Sequence, residues 1–289
     1  MNILILGGTG TIGTALTQEL LRHGHDVTGL SRSDASDRKL EAMGARPLRG
    51  DLRSPGAWVR EAARADGLVQ LAATFDDGMA EADTTAITAI LQQSALRPEP
   101  LRMIYTGGCW LYGATGSRVA DEESPMRPIR CFAWMQKNAR MVLSSPAVSA
   151  AVIHPAMVYH AEGGAFSRYL EDARKAMPFE IWGSIATRWP LVQREDLARA
   201  YRLLLEAPGL TGHFNASAEA GVPVADITRE IARRHGHDGG YVVRSLKHVL
   251  LKYGAWAEGP ALDQQMGSAK LRSLTGWQPQ FSSFRTAQF

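Results

Sequence analysis

Residues 3 to 13, ILILGGTGTIG, join an unbroken apolar run to a glycine-rich turn. Ile3 to Leu6 show no alternation of apolar and polar residues, which predicts a strand covered on both faces, as in a parallel sheet. Past the turn, Ile12, Ala15, Leu16, Glu19 and Leu20 recur at helical spacing, and His23 and Gly24 supply a plausible C-cap. Strand, tight turn and helix in that order demand an α/β fold. Gly7, Gly10 and Gly13 then have separate uses: a tight turn, close approach of backbone to a pyrophosphate, and close helix-to-sheet contact. Thr11 and Ile12 open the helix, whose N-terminus attracts the anion. The context favours dinucleotide binding over a purely structural turn.

The next strand, DVTGLSRS, ends where an acidic residue would accept a hydrogen bond from an adenosine ribose hydroxyl. Ser31 and Arg32 stand there instead. A guanidinium suits a 2′-phosphate, so NADP is expected over NAD; the competing reading is a surface arginine at a strand end.

At 289 residues the chain is long enough for one large α/β unit, or a main domain with a smaller lobe. The net charge of +3 is spread along the chain with no basic run, which leaves nucleic-acid binding without a footprint. The opening apolar run is far too short to cross a bilayer and lacks a basic leader, so a soluble, cytoplasmic protein without membrane contact is expected. Two cysteines, Cys109 and Cys131, are too few for a disulfide scaffold and are expected as free thiols. His235, His237 and Asp238 sit close in sequence but read as a polar turn after a helix, and no metal site is expected.

Further along, RGDLRSP (49–55), LVQLAAT (68–74) and RMIYTGGCWLYG (102–113) are strand ends followed by turn or helix signals. HPAMVYHAEGG (154–164), PLVQREDLARAYRLLLE (190–206), GHFNAS (212–217) and TGWQP (275–279) continue the pattern. Together with the Gly7-x-x-Gly10-x-x-Gly13 spacing, they make nearly the whole chain resemble the extended short-chain dehydrogenase/reductase superfamily, which includes nucleotide-sugar epimerases, dehydratases and dihydroflavonol-type reductases.

The resemblance implies a doubly wound parallel sheet of Rossmann type with a smaller C-terminal substrate-binding lobe. Residues 1–156, with 190–216 returning, would form the dinucleotide-binding domain; 157–189 and 217–289 would form the lobe. It implies that Asp51 and Leu52 flank the adenine, that Leu71, Ala72 and Ala73 lie beside the nicotinamide ribose, and that Thr106 and Pro155 border the nicotinamide. A small-molecule substrate follows, and a homodimer is compatible.

The resemblance breaks at the catalytic set. Relatives carry a Ser or Thr before the Tyr-Gly of the fifth strand's loop, and a Tyr four residues before a Lys. Counting back from Tyr112-Gly113 puts the first hydroxyl at Gly108, and counting back from Lys137 puts the phenol at Ala133. Only Lys137 remains, as a ribose-contacting and catalytic residue or as a solvated helix lysine. Lys137 itself, Cys109 and Tyr112 are the alternative proton donors, although Tyr112 and Cys109 also read as core residues. Trp110 and Trp134 suggest an aromatic wall for an apolar ligand, or core filling. Arg188 lies close to where relatives bind a diphosphate, or forms a salt bridge. Asp196 is expected to cap the helix that it begins. The leading expectation is an NADP-dependent oxidoreductase of a small carbonyl or alcohol substrate with a non-standard proton relay. The alternatives are an epimerase or dehydratase of nucleotide sugars, or a catalytically silent NADP-binding protein.

Overall fold

The computed structural model describes residues 1–74 and 76–289. Its first half alternates strands and helices: β1 (Asn2–Leu6), α1 (Thr11–Arg22), β2 (Asp26–Ser31), α2 (Asp34–Met43), β3 (Arg46–Arg49) and α3 (Ala57–Arg64). β4 (Gly67–Gln70), α4 (Met79–Ser94), β5 (Leu101–Thr106), α5 (Ala133–Ser144) and β6 (Val148–Pro155) follow. β7 (Met157–His160), β8 (Gly163–Gly164), α6 (Ser167–Arg174), β9 (Phe179–Trp182), β10 (Arg188–Gln193) and α7 (Arg194–Leu205) come next. The chain ends with β11 (Gly212–Ala216), β12 (Glu219–Pro223), α8 (Val224–His235), β13 (Tyr241–Arg244), α9 (Leu246–Tyr253) and α10 (Ala269–Thr275).

Seven parallel strands form the main sheet in the order β11-β6-β5-β4-β1-β2-β3. Successive strands step outward on both sides of β1, so the order reverses between β1 and β4; the crevice at the carboxyl ends of strands beside such a reversal is where open α/β sheets bind ligands. Apolar residues of β1 explain its central place. Ile3 and Ile5 pack with Leu16, Leu20 and Tyr201 of α1 and α7 on one face. Leu4 and Leu6 pack with Trp58, Val59, Ile87 and Val142 of α3, α4 and α5 on the other. Each fully buried Leu or Ile contributes roughly 1.5–3 kcal/mol. Gly29 of β2 has a local role: a Cβ there would lie 2.4 Å from Leu40, so its absence lets α2 close on the sheet.

A four-stranded sheet, β12-β10-β7-β8, and a two-stranded one, β13-β9, build the smaller lobe around Tyr159, Phe166, Trp189 and Ile231. The returning segment divides between the two units. β10, expected within the main domain, pairs with β7 and β12 in the four-stranded sheet. α7 packs back on α1, and β11 completes the main sheet beside β6.

The cap of α7 also differs from expectation. The Gln193 side chain accepts from the amides of Glu195 and Asp196. Asp196 is buried in the first turn, where its carboxylate accepts from the amides of Gln280 and Phe281 at 2.8 and 2.9 Å and so pins the C-terminal segment. His235 ends α8, and His237 contacts the Met177 carbonyl through Nε2 at 3.0 Å, a turn rather than a ligand cluster. No helix among the described residues is long and apolar enough to cross a membrane.

Candidate functional site

The carboxyl ends of β1, β2 and β4 border a groove of about 310 Å³. Gly7, Gly10, Thr11, Ile12 and Gly13 form its floor, joined by Thr9, and Leu30, Arg32, Ser36 and Leu52 line the β2 side. The turn is closed by the Gly10 amide donating to the Gly7 carbonyl at 3.1 Å. Gly7 has φ 90°, in the left-handed region, and a Cβ there would lie 2.8 Å from Ala72. A Cβ on Gly13 would lie 2.0 Å from the Gly7 carbonyl oxygen. Bulk at either position would force the turn apart. No side chain caps α1, and its first turn holds no acidic residue. Its leading amides therefore face the groove with no competing carboxylate, which fits an anionic diphosphate.

Arg32 is exposed and lines the groove together with Ser36, a residue that the spacing argument did not single out. Ser31, expected to touch the cofactor, is buried and donates to the Ser33 carbonyl at 3.0 Å, outside the groove lining. Asp51 is likewise outside it: its side chain accepts the Arg53 amide at 2.9 Å within a turn, while Leu52 does line the groove.

Leu71, Ala72, Ala73 and Ile12 are shared between this groove and a second cavity of about 430 Å³. Thr106, Gly108, Cys109, Trp110, Trp134 and Pro155 line the second cavity, and Phe132, Met79, Met135 and Met157 extend its apolar wall. Trp110 and Phe132 lie with ring centroids 5.6 Å apart, and the Trp134 indole is fixed by donating to the Cys131 carbonyl at 2.9 Å. The Trp110 Nε1–H is buried without a partner among the described residues.

The loop after β5 is held from beneath and from the lobe. The Gly108 amide donates to His154 Nδ1 at 3.3 Å, and a Cβ on Gly107 would lie 2.4 Å from that nitrogen. His154 is wholly buried, stacks on His213, and is driven down to about 3 by burial and then by the neighbouring imidazole. Gln264 donates to the Cys109 and Gly113 carbonyls at 2.9 and 2.6 Å. Burial pushes the Cys109 thiol up to about 12, which makes it a poor proton donor at neutral pH. Thr106 shares a hydrogen bond of 2.8 Å with the buried Tyr201 hydroxyl.

Four of the expected site residues lie outside both the groove and the cavity. Lys137 is exposed and lines neither the groove nor the cavity; Ala133, the first residue of α5, is exposed as well. The inward face of α5 instead carries Trp134, Met135 and the fully buried Asn138, one residue on from the expected pair, with Asn138 hydrogen-bonded to Asp83 and Thr84 of α4. Tyr112 packs away from the cavity, donating to Asn215 Oδ1 at 2.8 Å. Arg188 forms a forked ion pair with Asp263, with Nη2 to Oδ2 at 2.6 Å and Nε to Oδ1 at 2.9 Å, and also donates to the Gly116 carbonyl. That pair holds the Asp263 carboxyl below its usual range.

One polar cluster was missed by the sequence argument. Asp83 of α4 is 3% exposed, yet it lines the cavity beside Gln70 and Tyr105. Its carboxylate accepts from the Tyr105 hydroxyl at 2.7 Å, from Asn138 Nδ2 at 2.7 Å and from Gln70 Nε2. Burial nonetheless raises its pKa above the usual carboxylate value, the three donors only partly offsetting the loss of water. The signal was present: Asp83 shares the buried stripe of α4 with Ala86, Ile87 and Ile90, at helical spacing where a solvated charge does not belong.

Comparison with known proteins agrees with this geometry. A yeast protein from Saccharomyces cerevisiae, described as uncharacterized protein YLL056C, is 28% identical over 292 residues, spanning 97% of this chain and 95% of its own. The crystal structure of human epimerase family protein SDR39U1 with NADPH superposes with a TM-score of 0.81 at 22% identity, covering 100% of this chain and 98% of that one. DesIV, a dTDP-glucose 4,6-dehydratase from Streptomyces venezuelae solved with NAD, gives 0.81 at 19% identity, covering 98% and 93%. The NAD dependent epimerase/dehydratase profile matches residues 3–217, a span that runs through the whole seven-stranded sheet, and the chain therefore belongs to that family of NAD(P)-binding enzymes.

Proposed function

We propose that the protein is an NADP-dependent oxidoreductase acting on a small apolar substrate at a carbonyl-type carbon. The observation that carries this reading is the wall shared by groove and cavity: Ile12, Leu71, Ala72 and Ala73 face both. A dinucleotide along the glycine turn would be held by the α1 amides, with Arg32 and Ser36 placed for a 2′-phosphate and the shared wall for the nicotinamide end. When bound, it supplies or accepts a hydride. The chain's own part is to exclude water with aromatic and methionine side chains and to orient the substrate against that wall.

A nucleotide-sugar epimerase or dehydratase is the other reading, favoured by the family match. Against it, the only charged residue among the described residues lining the cavity is an acid, Asp83, and Arg188 is already paired with Asp263. A diphosphate would enter with no cation to meet it. Incubating purified protein with NADPH and panels of apolar ketones, enones, imines and sugar nucleotides, while following the nicotinamide absorbance, tests the reading. Oxidation of NADPH by apolar compounds alone is expected; turnover restricted to sugar nucleotides would overturn it. Tight NADPH binding with no turnover of any compound would favour a silent binding protein.

A further inference from the structure

We propose that the cavity is built for an apolar cation, with Asp83 as its counter-charge, and that the substrate pair of this site is an iminium and its amine. The claim deepens the oxidoreductase reading and rests on it for the chemistry, but not for the binding.

Two independent features point to positive charge. First, Asp83 is the one charged residue among the described residues of a mostly apolar wall, whose other polar members, Gln70, Tyr105, Thr106 and Cys109, are neutral. A carboxylate has about four acceptor sites. Three are taken: Oδ2 by Tyr105 and Asn138, and Oδ1 by Gln70. Among the described residues the donors are all neutral, so the charge is solvated but not balanced there, and one acceptor site on Oδ1 has no donor among them. Second, Trp110, Phe132 and Trp134 surround the same space. Their ring faces carry negative electrostatic potential and attract ammonium-type groups. An anionic ligand would be repelled by both features, and a neutral one would gain apolar burial but neither the charge pairing nor the cation–ring attraction.

The choice of iminium follows from what the cavity lacks. Gly108 has no side chain, Trp134 occupies the inward face of α5, Tyr105 is committed to Asp83, the Thr106 hydroxyl is shared with the buried Tyr201 hydroxyl, and the Cys109 thiol is a poor acid. A carbonyl needs a proton as its carbon accepts hydride from a reduced nicotinamide dinucleotide. A protonated imine does not: the carbon gains the hydride, the C=N π pair becomes the nitrogen lone pair, and the N–H proton stays in place.

The test uses three probes of one shape: naphthylmethylamine, naphthylmethanol and naphthoate, titrated calorimetrically into the full-length protein near neutral pH, with NADPH binding measured separately by fluorescence. The ammonium is expected to bind at least about tenfold more tightly than the alcohol, and naphthoate more weakly than either. Asp83→Asn, nearly isosteric, should bring the amine and the alcohol to similar affinity. Failure of the amine to bind, or an alcohol or carboxylate that binds as well as the amine, overturns the proposal even if Asp83→Asn does not fold. A preserved amine preference in a folded Asp83→Asn protein also overturns it. Amine selectivity without NADPH binding would keep the cation site and remove the oxidoreductase reading; NADPH binding without amine selectivity would do the reverse.

Discussion

Asn138 Nδ2 donates to Asp83 Oδ2 across 2.7 Å, tying α5 to α4 beneath the cavity. This contact fixes which face of α5 turns inward, and it leaves Lys137, the adjacent residue, exposed. Replacing Asn138 with alanine removes one of three donors from a buried carboxylate and should destabilise the fold by about 1–3 kcal/mol. Lys137→Ala should change stability by less than about 0.5 kcal/mol, as surface substitutions do. Urea denaturation of the two variants checks this; a larger loss in Lys137→Ala would contradict the observed helical phase.

Arg32 is the groove's distinguishing cation. Arg32→Asp should weaken NADPH by more than about tenfold while changing NADH little, since only the former carries the extra phosphate. Fluorescence titrations with both cofactors decide the matter, and parallel losses would remove the phosphate assignment.

The Arg188–Asp263 pair is partly exposed, with side-chain exposures of 29% and 37%. Solvent screening limits its contribution, so Arg188→Ala should cost about 1 kcal/mol or less. Ligand binding in the cavity should be unchanged. A large drop in affinity for any sugar nucleotide in this variant would return Arg188 to the ligand-binding role that its position in sequence suggested.

The parts legible in the sequence were those set by local backbone rules. The glycine turn, its strand and its helix follow from sterics within a dozen residues, and the structure places Gly7, Gly10 and Gly13 where that argument required. Of the cavity residues, Thr106 and Pro155 end strands and Gly108 and Trp110 lie in the loop after β5, positions which the pattern also marks. What failed was phase. Trp134 and Asn138 against Ala133 and Lys137 is a one-residue difference, about 100° around a helix, and it goes with a tertiary contact, Asn138 to Asp83 of α4, that the helix's own spacing does not show. Asp83, Gln70, Tyr105 and Asn138 come from four elements, so no spacing rule links them. A charge on the apolar stripe of α4 was the one available hint.

His154 gives a pH signature. In the unfolded chain its imidazole takes a proton below about 6.5, while the folded protein holds it neutral down to about 3. Between those values the unfolded state binds more protons, so the contribution is full above pH 6.5 and is lost as pH falls toward 3. At roughly 1.4 kcal/mol per pH unit the total is several kcal/mol. His154→Gln should lose stability at neutral pH and show a flatter decline on acidification. Denaturation midpoints across that range check it; an unchanged acid slope would contradict the buried neutral imidazole.

The α1 corner is expected to hold a dinucleotide diphosphate. Gly10 isolates this claim, because its φ is −77° and an added Cβ would meet only the Gly7 carbonyl oxygen at 3.4 Å, so alanine fits the fold while intruding on a ligand at the turn. Titration of NADPH into the native protein and Gly10→Ala, with unfolding midpoints measured in parallel, should give saturable binding to the former and at least about a tenfold loss in the latter at unchanged stability. No saturable binding of NADPH or NADH to the native protein, or equal affinity in Gly10→Ala, would contradict it.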